Sequence, residues 1–259
     1  MNGRRILTES QWERLAPVVS GARRREPGGR SDRRFIEAVV RVLRTGVPWR
    51  DLPARFGKWS TVYRRFRRWA VAGRWEYLRW ALVGKSQRDD LLLIDSTIVK
   101  AHPHAAGARR ANGGGQEAQA LGRSRGGFTS KVHAVVTGDG ELLRYRLTGG
   151  QVNDVTQAAL LVHGLRGRAV VGDRAYDADD FLVCIDSQGM AAAIPSRANR
   201  RIPRPLDAAA YARRNVIERL FGRLKEFRRV ATRYDKTAVS YAASLALAAA
   251  VVVLSGWAP

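Results

Sequence analysis

Apolar residues recur at helical spacing between residues 8 and 80, so this part of the chain is predicted to be all-helical. The spacing predicts a short helix over residues 8–18 and a second one over residues 35–43, capped by Asp32. A glycine and proline break separates these from a short helix predicted over residues 51–56, which ends at Gly57. A longer helix is predicted over residues 59–72.

The helix predicted over residues 59–72 has two different sides. One side is apolar and is formed by Trp59, Val62, Phe66 and Trp69. The other side is basic and is formed by Arg64, Arg65, Arg67 and Arg68. A short helix, a glycine turn and a second helix with an exposed arginine face are typical of a helix-turn-helix that binds DNA. The alternative is the solvated basic face of an ordinary helical bundle.

Beyond residue 90 the pattern changes from helical to extended. Residues 91–100 form an apolar, strand-like run that contains Asp95. Residues 131–137 and 141–147 are predicted to pair as a hairpin across a Gly-Asp-Gly turn. The arginine-rich residues 23–30 and the glycine-rich residues 105–127 lack periodicity, so both are predicted to be loops.

The remaining elements alternate between helices and strands. They are a helix over residues 154–165, a strand over 168–172, a helix over 177–188, a strand over 190–195, a basic loop over 197–204 and a helix that contains Glu218. Three strands, helix, strand, helix, strand, helix is the order of a ribonuclease-H-like α/β core, with a mixed sheet flanked by helices. We therefore expect a helical DNA-binding domain over residues 1–85 and an α/β domain over residues 86–259.

The composition points to a polyanionic partner. The chain of 259 residues has 46 lysines and arginines against 23 acidic residues, a net charge of +23. Nucleic acid is the simplest partner for such a charge, and the first 85 residues are the most basic part. The single cysteine, Cys184, excludes an intramolecular disulfide and a thiolate zinc cluster. No signal peptide is recognisable, and the apolar residues 238–254 are too short to span a membrane, so we expect a buried C-terminal helix and a cytoplasmic, nucleoid-associated protein.

One stretch near the C-terminus combines a carboxylate with cations and a phenol. On a continuous helix the four side chains of this group would lie within roughly 60° of one another; they are Tyr211, Arg214, Glu218 and Lys225. The opposite face is apolar, which gives the helix a side for the core; it comprises Val216, Leu220, Leu224 and Phe227. The pattern suits a metal ion on a phosphodiester with bases for the neighbouring phosphates. The alternative is an ordinary surface stripe of charges.

Two further acids, Asp95 and Asp173, lie inside or at the end of predicted buried strands. Asp95 lies in a predicted central strand. An unpaired charge is costly there, so it needs a partner such as a metal ion. Asp173 ends the next buried strand, at the edge where open α/β sheets form their functional crevice. Together with Glu218, these carboxylates could converge on a pair of Mg²⁺ ions roughly 3.5–4 Å apart. Asp154 and Asp177, by contrast, are interpreted as helix N-caps.

These motifs resemble the DDE transposases of bacterial insertion sequences, and most closely the insertion sequence 5 family. The resemblance rests on the stretches Asp95-Ser96-Thr97, Gly172-Asp-Arg-Ala-Tyr-Asp177, and the Tyr211, Arg214, Glu218, Lys225 spacing, and on Thr45-Gly-Val-Pro-Trp-Arg-Asp-Leu-Pro53 and Arg229-Val-Ala-Thr-Arg-Tyr-Asp-Lys236. It extends over nearly the whole chain.

The resemblance implies roles for individual residues and for partners. It implies that Asp95, Asp173 and Glu218 are the catalytic metal ligands for two Mg²⁺ ions, with Mn²⁺ as a substitute. A second group is implied to lie near the terminal DNA of the element: Tyr211, Arg214 and Lys225. The implied partners are double-stranded DNA, at the element ends and at the target, and a second copy of the chain, so at least a dimer forms on DNA; no membrane is involved.

The function that follows is that of a DNA transposase. It would bind terminal inverted repeats, hydrolyse the phosphodiester at the element ends and join the freed 3′-hydroxyl to target DNA. Two alternatives remain at this point. One is a nuclease of the same fold without strand transfer, and the other is a domesticated DNA-binding regulator whose catalytic domain is spent.

Overall fold

The computed structural model describes residues 6–21, 30–83, 90–108, 115, 118–124 and 127–257. Most of the loop predicted over residues 23–30 and part of that predicted over 105–127 lie outside the described residues. The helices are α1 (Glu9–Gly21), α2 (Arg30–Thr45), α3 (Trp59–Val71), α4 (Arg74–Leu82), α5 (Val155–Val162), α6 (Asp179–Asp186), α7 (Ala208–Ala212), α8 (Asn215–Lys225), α9 (Arg228–Ala231) and α10 (Ala238–Leu254). The strands are β1 (Leu91–Ala101), β2 (Gly122–Ser124), β3 (Gly127–Thr137), β4 (Leu142–Gly149), β5 (Ala169–Val171), β6 (Ala191–Ala193) and β7 (Thr232–Arg233).

The chain divides into two compact units. The first unit comprises Met1–Gly84, His102–Gly107 and Arg223–Trp257. The second comprises Lys85–Ala101, Ala108–Gly222 and Ala258–Pro259. The C-terminal helix therefore belongs to the same compact unit as the N-terminal helices. The functional division at residue 85 stays a prediction.

The first unit is built around an aromatic cluster contributed by three helices. Phe35 of α2 meets the ring of Trp69 at a centroid distance of 5.2 Å, and Trp69 meets Trp75 of α4 at 5.1 Å. The indole nitrogen of Trp75 donates to the carbonyl of Phe66 at 3.1 Å, which satisfies the polar atom of a buried ring. Helix α10 packs on α4 and α3 within this unit, because most of its side chains are small or aliphatic and buried.

The second unit is a mixed sheet with strand order β2-β3-β1-β5-β6, and β4 also pairs with β3. Strand β1 runs antiparallel to β3 and parallel to β5, and β5 runs parallel to β6. Helices α5, α6 and α7 pack on strands of this sheet. The all-helical N-terminal region and the mixed sheet with its helices confirm the predicted ribonuclease-H-like fold class.

The local predictions agree with the structure except at a few points. The hairpin is formed by β3 and β4, as predicted, but the short strand β2 lies in a stretch that was predicted to be a loop. Asp32 does not cap the second helix, because α2 already begins at Arg30 and Asp32 is buried inside it. The apolar segment over residues 238–254 is a buried helix, as predicted. None of the helices in the described part of the chain combines the length and apolar character needed to cross a membrane.

Candidate active site

Asp95 and Asp173 are brought together by the register of two parallel strands. Leu93 of β1 pairs with Val171 of β5. Each aspartate lies two residues beyond its paired position, and both strands point the same way, so the two carboxylates lie at neighbouring positions. The predicted convergence of two strand-borne acids therefore has a direct cause in the sheet topology.

Asp95 is a half-buried carboxylate with a shifted pKa. Its Oδ1 accepts the N–H of Ser96 at 2.7 Å. Its pKa is raised from 3.8 to about 6, first because burial disfavours the charged form, and also because the charges of Asp173 and Glu218 repel it. The Ser96 N–H and the guanidinium of Arg214 act in the opposite direction. The negative charges of both other acids of the predicted triad thus raise the pKa of Asp95.

Asp173 is held by the backbone that follows β5. Its Oδ1 accepts the N–H of Ala175 at 2.8 Å, so the carboxylate caps the single 3₁₀ turn Arg174–Tyr176. This contact orients the side chain while leaving the other oxygen available. Asp173 is half-buried, as Asp95 is.

Arg214 connects Asp95 with Glu218. Its Nη1 lies 3.3 Å from Oδ2 of Asp95, and its Nη2 forms an ion pair with Oε1 of Glu218 in α8. The guanidinium therefore bridges a carboxylate that is 18% exposed and one that is 51% exposed. A protein cation thus pairs with two of the three acids that the sequence predicts to be metal ligands.

The Tyr211, Arg214, Glu218, Lys225 group does not lie on one continuous helix, which corrects the predicted geometry. Tyr211 is on α7, whereas Glu218 and Lys225 are on α8. Between them, Arg214 donates its N–H to the carbonyl of Tyr211, and Val216 donates to Arg213, so the chain tightens into three-residue turns. The apolar face is as predicted, since all four of its members are buried: Val216, Leu220, Leu224 and Phe227.

The donor set suits a divalent cation, although Arg214 now contacts two of its members. Carboxylate oxygens are the ligands that Mg²⁺ prefers. Among the residues that the structure describes, no group of three or more His, Cys, Asp or Glu side chains is arranged to hold a metal ion. By donor chemistry Asp95, Asp173 and Glu218 suit the ion, but they are not arranged as a ligand group here, and two of them contact Arg214. Their assignment as metal ligands stays a prediction.

Comparison with known proteins decides the family. Residues 86–253 match the family described as "Transposase DDE domain", and residues 7–79 match the family described as "Putative transposase of IS4/5 family". The chain belongs to the DDE transposases. The predicted resemblance to the transposases of bacterial insertion sequences is thereby confirmed, and so is the predicted enzyme class.

Two relatives are similar to part of this chain in sequence, and one solved structure is similar to it in fold. A Brucella ovis protein named "Putative transposase for insertion sequence element IS6501" is 38% identical over 129 residues, which cover 49% of the transposase and 99% of the relative. "Uncharacterized protein y4sN" of Sinorhizobium fredii is 43% identical over 109 residues, which cover 42% of this chain and 86% of the relative. The fold is similar to that of a piggyBac transposase in a synaptic complex with hairpin DNA, with a TM-score of 0.55 and 12% identity over 97% of this chain and 73% of that one.

Asp154 contacts the residue next to Asp95, a contact that the sequence analysis did not identify. It was interpreted as a helix N-cap, but at the start of α5 its side chain makes no capping bond. Instead, its Oδ1 accepts from Ser96 Oγ at 2.8 Å and from Lys131 Nζ at 2.9 Å. Asp154 thus supports the residue that follows Asp95, and its position before a helix concealed this role.

His133 completes the same polar group. It is fully buried, its Nε2 lies 2.8 Å from the hydroxyl of Thr148, and its Nδ1 lies 3.4 Å from Asp154. Burial lowers the pKa of His133 to about 4, so the ring is neutral at physiological pH. Nothing in the local sequence signals this contact, because Asp154 and His133 come from different elements.

Asp177, also interpreted as a cap, anchors the basic loop instead. Its buried carboxylate accepts the N–H of Arg197 at 2.7 Å, Nε of Arg200 at 2.9 Å and Nη2 of Arg204 at 2.9 Å. The N-cap residue of α6 is Ala178. The loop over residues 197–204 is thereby fixed to the turn that begins at Asp173.

The four arginines of α3 occupy different environments. Arg64 and Arg68 are exposed and Arg67 is half-buried. Together with their neighbours they line a groove of about 580 Å³; its residues are Tyr63, Arg64, Arg67, Arg68, Val71 and Ala72. The predicted basic face is therefore present at three of the four positions.

Arg65 is turned inward, unlike the prediction. Its Nη2 lies 2.5 Å from Oδ1 of buried Asp32, and its guanidinium stacks over the rings of Phe35 at 4.2 Å and Trp69 at 5.0 Å. An arginine that is paired with a carboxylate and stacked on aromatic rings stabilises the helical unit.

Proposed function

We propose that this transposase cleaves the phosphodiester bonds at the ends of its element and then joins the freed 3′-hydroxyl to target DNA, with Asp95, Asp173 and Glu218 holding two Mg²⁺ ions. The observation that supports the proposal is the parallel register that sets Asp95 beside Asp173, with Arg214 joining Asp95 to Glu218. When bound, a pair of Mg²⁺ ions activates the attacking hydroxyl and stabilises the leaving oxygen. Mn²⁺ offers the same oxygen-ligand chemistry.

The contacts of Arg214 indicate that it binds the scissile phosphate during the reaction. A guanidinium that lies between Asp95 and Glu218 is within reach of a phosphate that metal ions on the same carboxylates would hold. Its planar pair of donors suits two phosphate oxygens at once. We infer that Arg214 moves from the carboxylates to the scissile phosphate when DNA binds, and that Tyr211 and exposed Lys225 contact the neighbouring strand.

The helical unit supplies a surface for recognising the terminal inverted repeats. Arg64, Arg67 and Arg68 line one groove on α3, and the chain as a whole carries a charge of +23. Arginines on a helix can position the phosphate backbone and read base edges. We assign Arg65 no contact with DNA, since it is held by Asp32 and the aromatic cluster.

The expected assembly is at least a dimer on DNA, because a reaction that joins two element ends needs both of them in one complex. A transposase of similar fold is described in a synaptic complex with hairpin DNA. Native mass spectrometry of the complex with end DNA measures the number of chains per pair of ends. A single chain on each isolated end at every concentration would contradict the assembly.

The catalytic assignment is tested with single alanine variants of the three acids. Duplexes from the DNA that flanks the reading frame provide the element ends. Asp95→Ala, Asp173→Ala and Glu218→Ala should each abolish nicking in Mg²⁺ while leaving binding to end DNA intact. Asp186→Ala is the matched control, because it removes an exposed aspartate at the end of α6. A triad variant that still nicks would remove that residue from the site.

Strand transfer is tested separately, with precleaved end DNA and a plasmid target. The transposase should join the 3′-hydroxyl of the end to the plasmid in Mg²⁺ or Mn²⁺, and each triad variant should not. Cleavage without joining would indicate a nuclease that has lost strand transfer. Specific binding to the ends without any cleavage would indicate a domesticated regulator.

A further inference from the structure

The basic loop over residues 197–204 leaves the sheet at the edge where Asp95 and Asp173 lie. Strand β6 runs parallel to β5, and its last residue, Ala193, pairs with Val171. Asp173 follows this register by two residues, and the chain enters the loop four residues beyond Ala193. Since the carboxyl ends of parallel strands meet at one edge of a sheet, the loop begins beside the predicted acids.

Hydrogen bonds fix this loop to the turn that follows Asp173. The guanidinium of Arg197 donates to the carbonyl of Ala175 at 2.8 Å and to that of Arg174 at 3.2 Å. Ala175 in turn donates its N–H to the carboxylate of Asp173 at 2.8 Å. The buried carboxylate of Asp177 accepts three further bonds from the loop. These contacts hold the loop in a defined position relative to Asp173.

The tip of the loop, formed by Arg201 and Ile202, presents a cation and an apolar side chain to solvent. Arg201 is exposed, and Ile202 is 76% exposed, more than any other large apolar side chain in the described part of the chain. A groove of about 410 Å³ lies beside the tip. Asp177 and Asp179 also line this groove, but both carboxylates are paired with Arg200. The free ends of the tip therefore face a groove whose acids are neutralised.

An exposed cation next to an exposed apolar side chain suits a strand of nucleic acid. A guanidinium binds phosphate oxygens, and an aliphatic side chain packs against bases. Arg201 is four residues beyond Arg197, so their Cα atoms lie within about 14 Å of each other. Along one strand of a duplex this distance corresponds to about four nucleotides. The tip is consequently within a few nucleotides of a phosphate bound at Asp173.

We propose that the loop over residues 197–204 is a binding site for the DNA strand beside the cleaved bond, with Arg201 on a phosphate and Ile202 against the bases. The inference rests on the proposed function, because it takes Asp173 to lie at the cleaved bond. The loop is fixed before DNA arrives, so it offers this contact without the cost of ordering a flexible segment.

The first test measures binding of the full chain to end DNA without a divalent cation, so that cleavage does not interfere. Arg201→Ala should weaken binding by roughly tenfold at 0.1 M salt and reduce the salt slope by about 0.9, because one phosphate contact is lost. Ile202→Ala should weaken binding by roughly tenfold with an unchanged slope, because an apolar contact releases no counterions.

Each variant of the tip has a matched control. Arg166→Ala removes an exposed arginine that precedes β5, at the other end of that strand from Asp173. Val183→Ala removes an apolar side chain of α6 that is 68% exposed. Both controls should bind end DNA as the unsubstituted chain does.

The second test locates the phosphate. Neutral methylphosphonates replace the phosphates one at a time within about six nucleotides of the mapped nick. At least one replacement should weaken binding of the unsubstituted chain, and Arg201→Ala should be insensitive to that same replacement, because its contact is already lost.

Three results would overturn the inference about the loop. One is that Arg201→Ala or Ile202→Ala binds end DNA like its control. Another is that Arg201→Ala responds to every methylphosphonate as the unsubstituted chain does. The third is a lowered melting temperature of the DNA-free variants, which would show that the tip supports the fold. The proposed function fails in a different way, namely if the unsubstituted chain binds end DNA but does not nick it in Mg²⁺.

Discussion

Replacing Arg214 with alanine should have opposite effects on metal binding and on DNA cleavage. In the free protein, the guanidinium neutralises Asp95 at 3.3 Å and also pairs with Glu218. A metal ion that binds these two carboxylates has to displace it. We therefore expect Arg214→Ala to bind Mn²⁺ more tightly than the unsubstituted chain in the absence of DNA, and to cleave bound DNA more slowly.

The magnitudes follow from the exposure of the three side chains. The pair with Glu218 is worth about 0.5 kcal/mol, because that carboxylate is 51% exposed and screened by solvent. The bond to Asp95, whose side chain is 18% exposed, is worth about 1.5 kcal/mol. Together they amount to about 2 kcal/mol, or roughly 30-fold in Mn²⁺ affinity. Loss of one donor to the phosphate in the transition state slows cleavage by roughly 10²–10³-fold.

Two assays separate these effects. Mn²⁺ affinity is measured by electron paramagnetic resonance on the free protein, and cleavage by single-turnover kinetics on prebound end DNA at saturating Mg²⁺. Arg219→Ala is the control, since Arg219 is an exposed arginine of α8 that donates only to Asn215 in the observed contacts, at 3.2 Å. Arg213 is a poor control, because it donates to the carbonyl of Gly138 at 2.8 Å.

The reasoning about Arg214 would be refuted by two outcomes. If Arg214→Ala binds Mn²⁺ no more tightly than the unsubstituted chain, the bridge does not compete with the metal. If Arg219→Ala tightens Mn²⁺ binding to the same extent, the effect is one of net charge and the geometry of the bridge is irrelevant.

Three further predictions concern stability. Asp95→Asn should stabilise the metal-free protein at pH 7 to 8 by up to about 3 kcal/mol, since the pKa of Asp95 is raised from 3.8 to about 6 and each pH unit of that difference is worth about 1.4 kcal/mol. Because its pKa is raised in the folded state, Asp95 stabilises the fold below pH 3.8, and this stabilisation is lost as the pH rises through 6. Urea denaturation should therefore show that the advantage of Asp95→Asn over the unsubstituted chain shrinks toward pH 4. An equal advantage at pH 4 and at pH 7 to 8 would contradict an origin in the ionisation of Asp95. Asp177→Ala should lower the free energy of unfolding by about 3 kcal/mol, because it leaves Arg200 and Arg204 without their buried partner; a change below 1 kcal/mol in denaturant titration would contradict this. Leu247→Ala should cost about 2–5 kcal/mol, because this fully buried side chain of α10 lies in the core of the helical unit, and exposed Val239→Ala is its control.

Several features of this transposase could be predicted from local sequence alone. The amphipathic α3 was predicted because Val62, Phe66 and Trp69 recur at helical spacing, and all three are buried. The strand around Asp95 and the strand end at Asp173 were predicted from runs of apolar residues. Such periodicity is a local property, so it requires no knowledge of which elements pack together.

The interruption between α7 and α8 was not predictable in the same way. The spacing from Tyr211 to Lys225 is compatible with one continuous helix, and the tighter turn at Arg213 and Arg214 became visible only in the hydrogen bonds. A helical pattern constrains which side chains face the core, and the apolar face of α8 agrees with it. It does not determine where a helix is interrupted, since that depends on packing.

What the sequence by itself determined is therefore the set of elements, their order, the family and the acids that end or interrupt buried strands. Tertiary structure alone decided which charged groups meet. Arg65 reaches Asp32 across 33 residues, Ser96 reaches Asp154 across 58, and Arg214 reaches Asp95 across 119. In their own segments Asp32 and Asp154 look like ordinary helix caps, and Arg65 looks like a surface charge. Burial makes an unpaired charge costly, so each of these groups needs a partner. Which partner lies within reach is determined only when the chain is packed.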